Sequence, residues 1–328
     1  MNAKKIKILV IRFSSMGDII YTSPIIRCLK QQLPNAEIHY LTKSNFKFLL
    51  DYNPYITQLH LLKPKLRDTI KELKAERFDY VIDLHNSLRS TLVKIQLGIK
   101  SSTYKKERFK KWLALKARIN LIKPDHLVDR YLKAVEFLGV INDGKPINYF
   151  LPENTPSLPE IIPDYYAKPY IAFIIGATHF TKRMPNEKVI SLCKRIELPV
   201  ILLGGEDVKT NAAVISEALP NKIINLVGQI SLNESVTVVK NAAQVIGFDT
   251  GLTHISEAFN KKLTTIWGST IPELLGVQPY QVMKHYEAGV TLSCRPCSKF
   301  GLSACPKGHF KCMKDINEDL IIDFIAHE

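Results

Sequence analysis

The sequence predicts two doubly wound α/β domains in tandem, and three observations carry the prediction. A length of 328 residues exceeds what one hydrophobic core usually organises. Short β-branched runs alternate with amphipathic stretches, the pattern of βα units around a parallel sheet. The alternation stops at a proline-rich interval and then begins again.

In the first half the runs are IKILVIRF (6–13), EIHYLT (37–42), TQLHLL (57–62) and YVIDLH (80–85), with amphipathic stretches over 18–33 and 67–76 between them. The interval 151–169 carries Pro152, Pro156, Pro159, Pro163 and Pro169, which forbid a continuous helix and mark a linker. Strands are then expected at YIAFIIG (170–176), PVILLGG (199–205), IINLVG (223–228), QVIGFDT (244–250) and LTTIWGS (263–269), with helices near 186–196, 208–219 and 233–241. The expected domains are 1–155 and 156–328. The basic opening MNAKKIKILVIRF has only a short apolar part that runs into a glycine-containing turn, so it predicts a first buried strand and not a signal peptide. No apolar run approaches the roughly 20 residues of a membrane span.

The net charge of +14 is unevenly placed. Residues 1–150 hold 28 Lys and Arg against 13 Asp and Glu, whereas residues 151–328 hold 17 against 18. The first half is therefore expected to face something anionic. Its densest segment, 94–123, sets ten Lys and Arg against the single acid Glu107 and interleaves them with Phe109, Trp112, Leu113 and Leu115. Such a segment is either a solvated basic helix or a surface for an anionic membrane or phosphorylated glycolipid.

Two sets of loops at predicted strand ends carry the chemistry. After the first strand, Ser14-Ser15-Met16-Gly17-Asp18 allows a sharp turn at Gly17 and puts Asp18 at a helix start, as a simple N-cap or as a reactive carboxylate. The spacing is not GxGxxG, so no dinucleotide cofactor is indicated. In the second half, Asp249-Thr250-Gly251-Leu252-Thr253-His254 joins a buried strand to an apolar helical stretch, where unpaired backbone N–H groups and the helix dipole suit a diphosphate. Lys182 and Arg183 follow another strand and could neutralise phosphate, while Glu206, beyond the Gly204-Gly205 turn, could accept ribose hydroxyls.

Taken together and in order, SSMGD (14–18), YVIDLHNSLRS (80–90), GATHFTKRMP (176–185), LLGGEDV (202–208) and FDTGLTHISEAF (248–259) resemble glycosyltransferase family 9, the heptosyltransferases, over nearly the whole length. The resemblance implies the GT-B fold, two Rossmann-like domains facing across a cleft. It implies Asp18 as general base, and donor contacts from Lys182, Glu206, Asp249, Thr250, Gly251, Leu252 and His254. The donor would be a nucleotide diphosphate sugar, ADP-heptose in this family, and the acceptor the lipopolysaccharide inner core, either lipid A-Kdo or a heptosyl group. Ser15, Gly17, Asn86 and Arg89 are the candidate acceptor contacts.

Such an enzyme would be inverting, would need neither metal nor cofactor, and would work in the cytoplasm against the inner face of the inner membrane without binding nucleic acid. No Asp-x-Asp pair of the metal-holding kind is present in the candidate loops. Four cysteines, Cys294, Cys297, Cys305 and Cys312, cluster with His309 at a spacing that could hold zinc or could simply staple the region. The competing functions are another GT-B-like nucleotide-sugar enzyme, such as an epimerase or a non-heptose transferase, and a nucleic-acid-binding protein, which would leave the strand-end loops without a purpose.

Overall fold

The computed structural model of the chain describes residues 5–117, 119, 121–122, 125–162 and 168–327. Arg118, Lys123 and Pro163, which belong to the basic segment and the linker, lie outside the described residues. The chain divides into two compact units, Met1–Arg108 with Asp125–Phe150 and Phe109–Pro124 with Leu151–Glu328.

The first unit is built on five parallel strands, β1 (Ile6–Ile11), β2 (Ala36–Thr42), β3 (Gln58–Leu61), β4 (Tyr80–Asp83) and β5 (Ser101–Thr103), in the order β3-β2-β1-β4-β5. β1 is central, and Ile8, Leu9, Val10 and Ile11 are fully buried, as expected of a strand covered on both faces. Helices α1 (Met16–Ile20), α2 (Ser23–Gln32), α3 (Leu66–Glu76) and α4 (Leu88–Leu97) follow β1, β3 and β4; after β5 the chain forms α5 (Arg108–Lys116), which from Phe109 on is grouped with the second unit, and then α6 (Leu127–Leu132), back in the first. The amphipathic stretch expected over 18–33 is two helices. Pro24 sits in the first turn of α2 and has no N–H for the carbonyl of Ile20, so the helix cannot run through.

A single helical turn, α7 (Leu158–Ile161), breaks the proline-rich interval. The second unit then carries six parallel strands, β6 (Ile171–Ile174), β7 (Val200–Leu203), β8 (Ile223–Asn225), β9 (Gln244–Phe248), β10 (Lys262–Ile266) and β11 (His285–Ala288), in the order β11-β10-β9-β6-β7-β8. Helices α8 (Asn186–Arg195), α9 (Lys209–Ala218), α10 (Leu232–Asn241), α11 (Gly251–Ser256), α12 (Pro272–Leu275), α13 (Lys311–Lys314) and α14 (Glu318–Ala326) complete it. Ile171, Phe173, Val200, Leu202, Ile246 and Phe248 form one continuous core with Leu192 and Met313.

Both sheets reverse their winding once. The chain runs outward from β1 to β3 and returns to β4, and likewise from β6 to β8 before returning to β9. Each reversal opens a crevice beyond the carboxyl ends of two neighbouring strands, where sheets of this kind place their ligands. These crevices lie at β1/β4 and at β6/β9, and they receive the loops of Asp18, Lys182 and Asp249, whereas the Glu206 loop follows β7.

Candidate active site

At the β1/β4 edge, Ser15 is the N-cap of α1 and Asp18 is the third residue of the helix. The backbone N–H and the hydroxyl of Ser15 donate to Asp18 Oδ2 at 3.1 and 2.8 Å. Asp18 is thus the acidic half of a capping box and not the N-cap itself. Arg12, at the end of β1 and 5% exposed, places its guanidinium 2.5 Å from the same Oδ2. Burial pushes the Asp18 carboxyl up, but Arg12 and the two Ser15 donors outweigh it and hold the group below the ordinary carboxylate range.

The β4 side of this edge is rigid. Buried Asp83 accepts from the backbone N–H groups of His85 and Asn86 at 2.9 and 2.8 Å and pairs with Lys94 at 3.0 Å. Asn86 is left-handed and donates its side-chain amide to the Tyr104 carbonyl, while Arg89 lies exposed in the first turn of α4. Gly17 is in α1 beside Asp18. His85 packs against Phe13, and burial, then Arg12, lower its pKa to about 4, so the ring is neutral; among the described residues its buried Nδ1 has no hydrogen-bond partner. His85 escaped the sequence reading because nothing in LHNS distinguishes it from an ordinary loop histidine.

At the β6/β9 edge the structure brings Lys182, Asp249 and His254 together. Lys182 Nζ lies 2.5 Å from Asp249 Oδ2, and Thr270 donates to the same oxygen at 3.0 Å. His254 donates from Nε2 to Asp249 Oδ1 at 3.4 Å and from Nδ1 to Glu257 at 3.0 Å, while Glu257 also accepts from the Tyr280 backbone N–H at 2.9 Å. Burial alone would raise the Asp249 carboxyl, but His254 and Lys182 hold it at about 2. Burial likewise favours neutral His254, yet Asp249 and Glu257 raise it to about 9, so the ring is an imidazolium at neutral pH. Two cations and two carboxylates are locked in one buried network.

This network makes stability depend on pH. The raised His254 pKa contributes stability that is complete below the unfolded histidine value near 6.5 and is lost as pH rises through about 9. The lowered Asp249 pKa contributes stability that is present above the unfolded value near 3.8 and is lost as pH falls through about 2. The melting temperature should therefore fall between pH 6.5 and 9, and His254→Gln should flatten that fall. A wild-type slope surviving in His254→Gln would show that another group causes it.

Thr250 is the extended N-cap of α11, with no side-chain cap bond, and Gly251 and Leu252 open the helix. Six residues give α11 little of the dipole expected of it; what remains for an anion is its first-turn N–H groups, which have no intrahelical acceptors. Glu206 is not in the network: it is exposed and pairs with Lys209 at 3.2 Å. Arg183 does not face an open site either, because it braces its loop through the Ala177 carbonyl at 2.7 Å and through Asp207. The loops after β6 and β7 touch closely, and a Cβ on Gly204 would lie 2.8 Å from Val208 Cγ2 and 3.3 Å from Gly176 N, so glycine suits that approach.

The cysteine segment supports these loops by hydrogen bonds. Thr181, next to Lys182, donates its backbone N–H to Leu302 and accepts from the Leu302 N–H on its hydroxyl, at 3.1 and 2.8 Å. Cys297 N–H donates to Ser269, and Arg295 donates to the Trp267 and Thr270 carbonyls at 3.0 and 2.9 Å. None of the six cysteines is in a disulfide. Among the described residues the one group of three potential metal ligands within 4.8 Å of each other is His39, His60 and Glu76, while in the cysteine segment Cys294 Sγ lies 3.9 Å from His309 Nε2. The His39 and His60 rings are nearly parallel, with centroids 5.2 Å apart, and meet Nδ1 to Nε2 at 2.9 Å. That separation places them edge to edge in one plane, where the facing nitrogens share a proton and do not converge on an ion.

Two Rossmann-like units in one chain, with chemistry gathered at the crevice of each sheet, define the GT-B class of glycosyltransferase. The family model for glycosyltransferase family 9 (heptosyltransferase) matches residues 66–304, and the chain belongs to that family. It is 26% identical over 290 residues to lipopolysaccharide heptosyltransferase 1 of Campylobacter coli, covering 80% of this chain and 84% of that one. The fold is similar to the crystal structure of the family 9 glycosyl transferase from Veillonella parvula, with a TM-score of 0.78 at 20% identity over 99% and 97% of the two chains. It is also similar to the ADP-heptose lps heptosyltransferase II of E. coli, with a TM-score of 0.73 at 21% identity over 98% and 97%.

Proposed function

We propose that the chain is an inverting heptosyltransferase that moves heptose from ADP-heptose onto the inner core of lipopolysaccharide, a lipid A-Kdo or heptosyl acceptor. The observation that carries this is the Lys182, Asp249 and His254 network beside the start of α11 at the β6/β9 crevice. The names of the family 9 relatives supply the sugar and the acceptor.

In the proposed reaction the acceptor oxygen attacks the anomeric carbon as its bond to the diphosphate breaks on the opposite side. Asp18 takes the acceptor proton as general base. Lys182 and the first-turn amides near Thr250 and Gly251 take up the charge developing on ADP, which leaves no step for a divalent metal. Leu252 is buried and holds that turn, His254 fixes Asp249, and Glu206 accepts from the ribose hydroxyls. Ser15, Gly17, Asn86 and Arg89 shape the acceptor side. The testing assay is transfer from ADP-heptose to heptose-deficient lipopolysaccharide with and without EDTA. Equal rates are expected, and loss of activity restored by added divalent metal would contradict the metal-free scheme.

The acceptor is anionic and membrane-held, and α5 supports contact with such a surface. Phe109 and Trp112 are 70% and 55% exposed and stack at 6.2 Å on a helix that also carries Arg108, Lys110, Lys111 and Lys116. Among the described residues no helix is long and apolar enough to cross a membrane. Peripheral binding at the cytoplasmic face of the inner membrane is the corresponding proposal. Co-sedimentation with vesicles containing phosphatidylglycerol should drop at least several-fold in Phe109→Ser/Trp112→Ser, and binding should be lost on vesicles of phosphatidylcholine alone. Undiminished binding by the double variant would remove α5 from the contact.

A further inference from the structure

We infer that Arg12 is a positioning residue that anchors Asp18 through one carboxylate oxygen and leaves the other, Oδ1, as the atom that receives the acceptor proton. The inference rests on Asp18 being the base. Among the described residues every hydrogen bond and ion pair of the Asp18 carboxylate ends on Oδ2: the Arg12 guanidinium at 2.5 Å, the Ser15 N–H at 3.1 Å and the Ser15 hydroxyl at 2.8 Å. A carboxylate oxygen holding three donors has little left for a fourth, whereas Oδ1 keeps both lone pairs. The Asp18 side chain is still 27% exposed, so a substrate hydroxyl can reach it.

Arg12 is itself held from several directions. It donates from Nη1 to the Leu84 carbonyl at the end of β4 at 2.6 Å, and its guanidinium carbon lies 5.7 Å from the centre of the Tyr131 ring. Its position therefore ties the Asp18 carboxylate to both strands of the crevice. Burial presses Tyr131 and Tyr104 toward their neutral forms, so Asp18 is the anion that answers the Arg12 charge. The guanidinium does not lose its proton in this pair. Arg12 consequently fixes both the direction of the base and its ionised state, and keeps it ionised at pH values where an ordinary carboxylate begins to protonate.

The test is the pH dependence of kcat/KM for transfer from ADP-heptose to heptose-deficient lipopolysaccharide in wild type, Arg12→Lys and Arg12→Met, with ADP affinity measured calorimetrically on each. In Arg12→Met the acid limb should move up by about one pH unit or more and the rate should fall at least tenfold, while ADP affinity stays within about twofold. Arg12→Lys keeps a charge but loses the fork, so its limb should return toward wild type with the rate only partly restored. An acid limb unchanged in folded Arg12→Met would overturn the inference; if Arg12→Met does not fold, Arg12→Lys decides the matter, and a wild-type rate in that variant would overturn it. Asp18→Asn keeps the two failures apart: undiminished transfer in that variant would remove Asp18 as base, whatever Arg12 does.

Discussion

Asp18→Asn is expected to lower transfer by about 10²–10⁴-fold, the usual worth of a positioned general base, while affinity for ADP stays within about twofold. Asparagine is the appropriate substitution because alanine would leave the Arg12 guanidinium buried with its carboxylate partner gone, and a buried charge stripped of its partner destabilises by several kcal/mol. The amide retains an oxygen for Arg12 and Ser15 but no longer takes a proton. Single-turnover rates with saturating ADP-heptose, paired with calorimetric ADP binding, separate loss of chemistry from loss of binding. A variant that keeps its rate has no need of Asp18 as a base.

Lys182→Ala should act in the opposite way, weakening ADP binding about 10–100-fold through loss of a charge-assisted contact to phosphate. The lysine is nearly buried against Asp249, so the substitution also removes one of the two cations that keep this carboxylate ionised. The melting temperature should fall with it. His254 still faces Asp249 from the other oxygen, which limits the damage and leaves a folded protein to titrate. Lys182→Ala/Asp249→Asn serves as the control: its stability should recover while ADP affinity remains low. Wild-type ADP affinity in Lys182→Ala would show that the phosphates are held elsewhere.

The sequence made the strand ends legible because parallel strands buried on both faces stand out as continuous apolar runs, and the loops after them are marked by glycine and charge. SSMGD and DTGLTH could be placed at carboxyl edges for that reason. The turn chemistry was less legible. Asp18 read as a simple N-cap or as a reactive carboxylate, and Ser15 holds the N-cap place; Pro24 divides a stretch that its apolar spacing alone presents as one helix. The short outer strands β5 and β11 carry too few buried residues to declare themselves.

The remaining part depends on contacts between residues far apart in the chain. Arg12 meets Leu84, Thr181 meets Leu302, and Thr270 meets Asp249, and no local pattern records these pairs. The cysteine segment illustrates the point. Its C-x2-C spacing reads as a metal site or a staple, and only its position reveals the hydrogen bonds that brace the loops of Lys182 and Thr270. Glu257 likewise reads as one acid in an apolar helical stretch until His254 and Tyr280 are seen to close on it.

The central claim is heptose transfer with inversion, and the most direct measurement is the anomeric configuration of the product formed from ADP-heptose and heptose-deficient lipopolysaccharide, read by NMR alongside released ADP. The account predicts one ADP per heptose transferred and a glycosidic bond of configuration opposite to that of the donor. Retention of the donor configuration, or ADP release that does not depend on the acceptor, would contradict it.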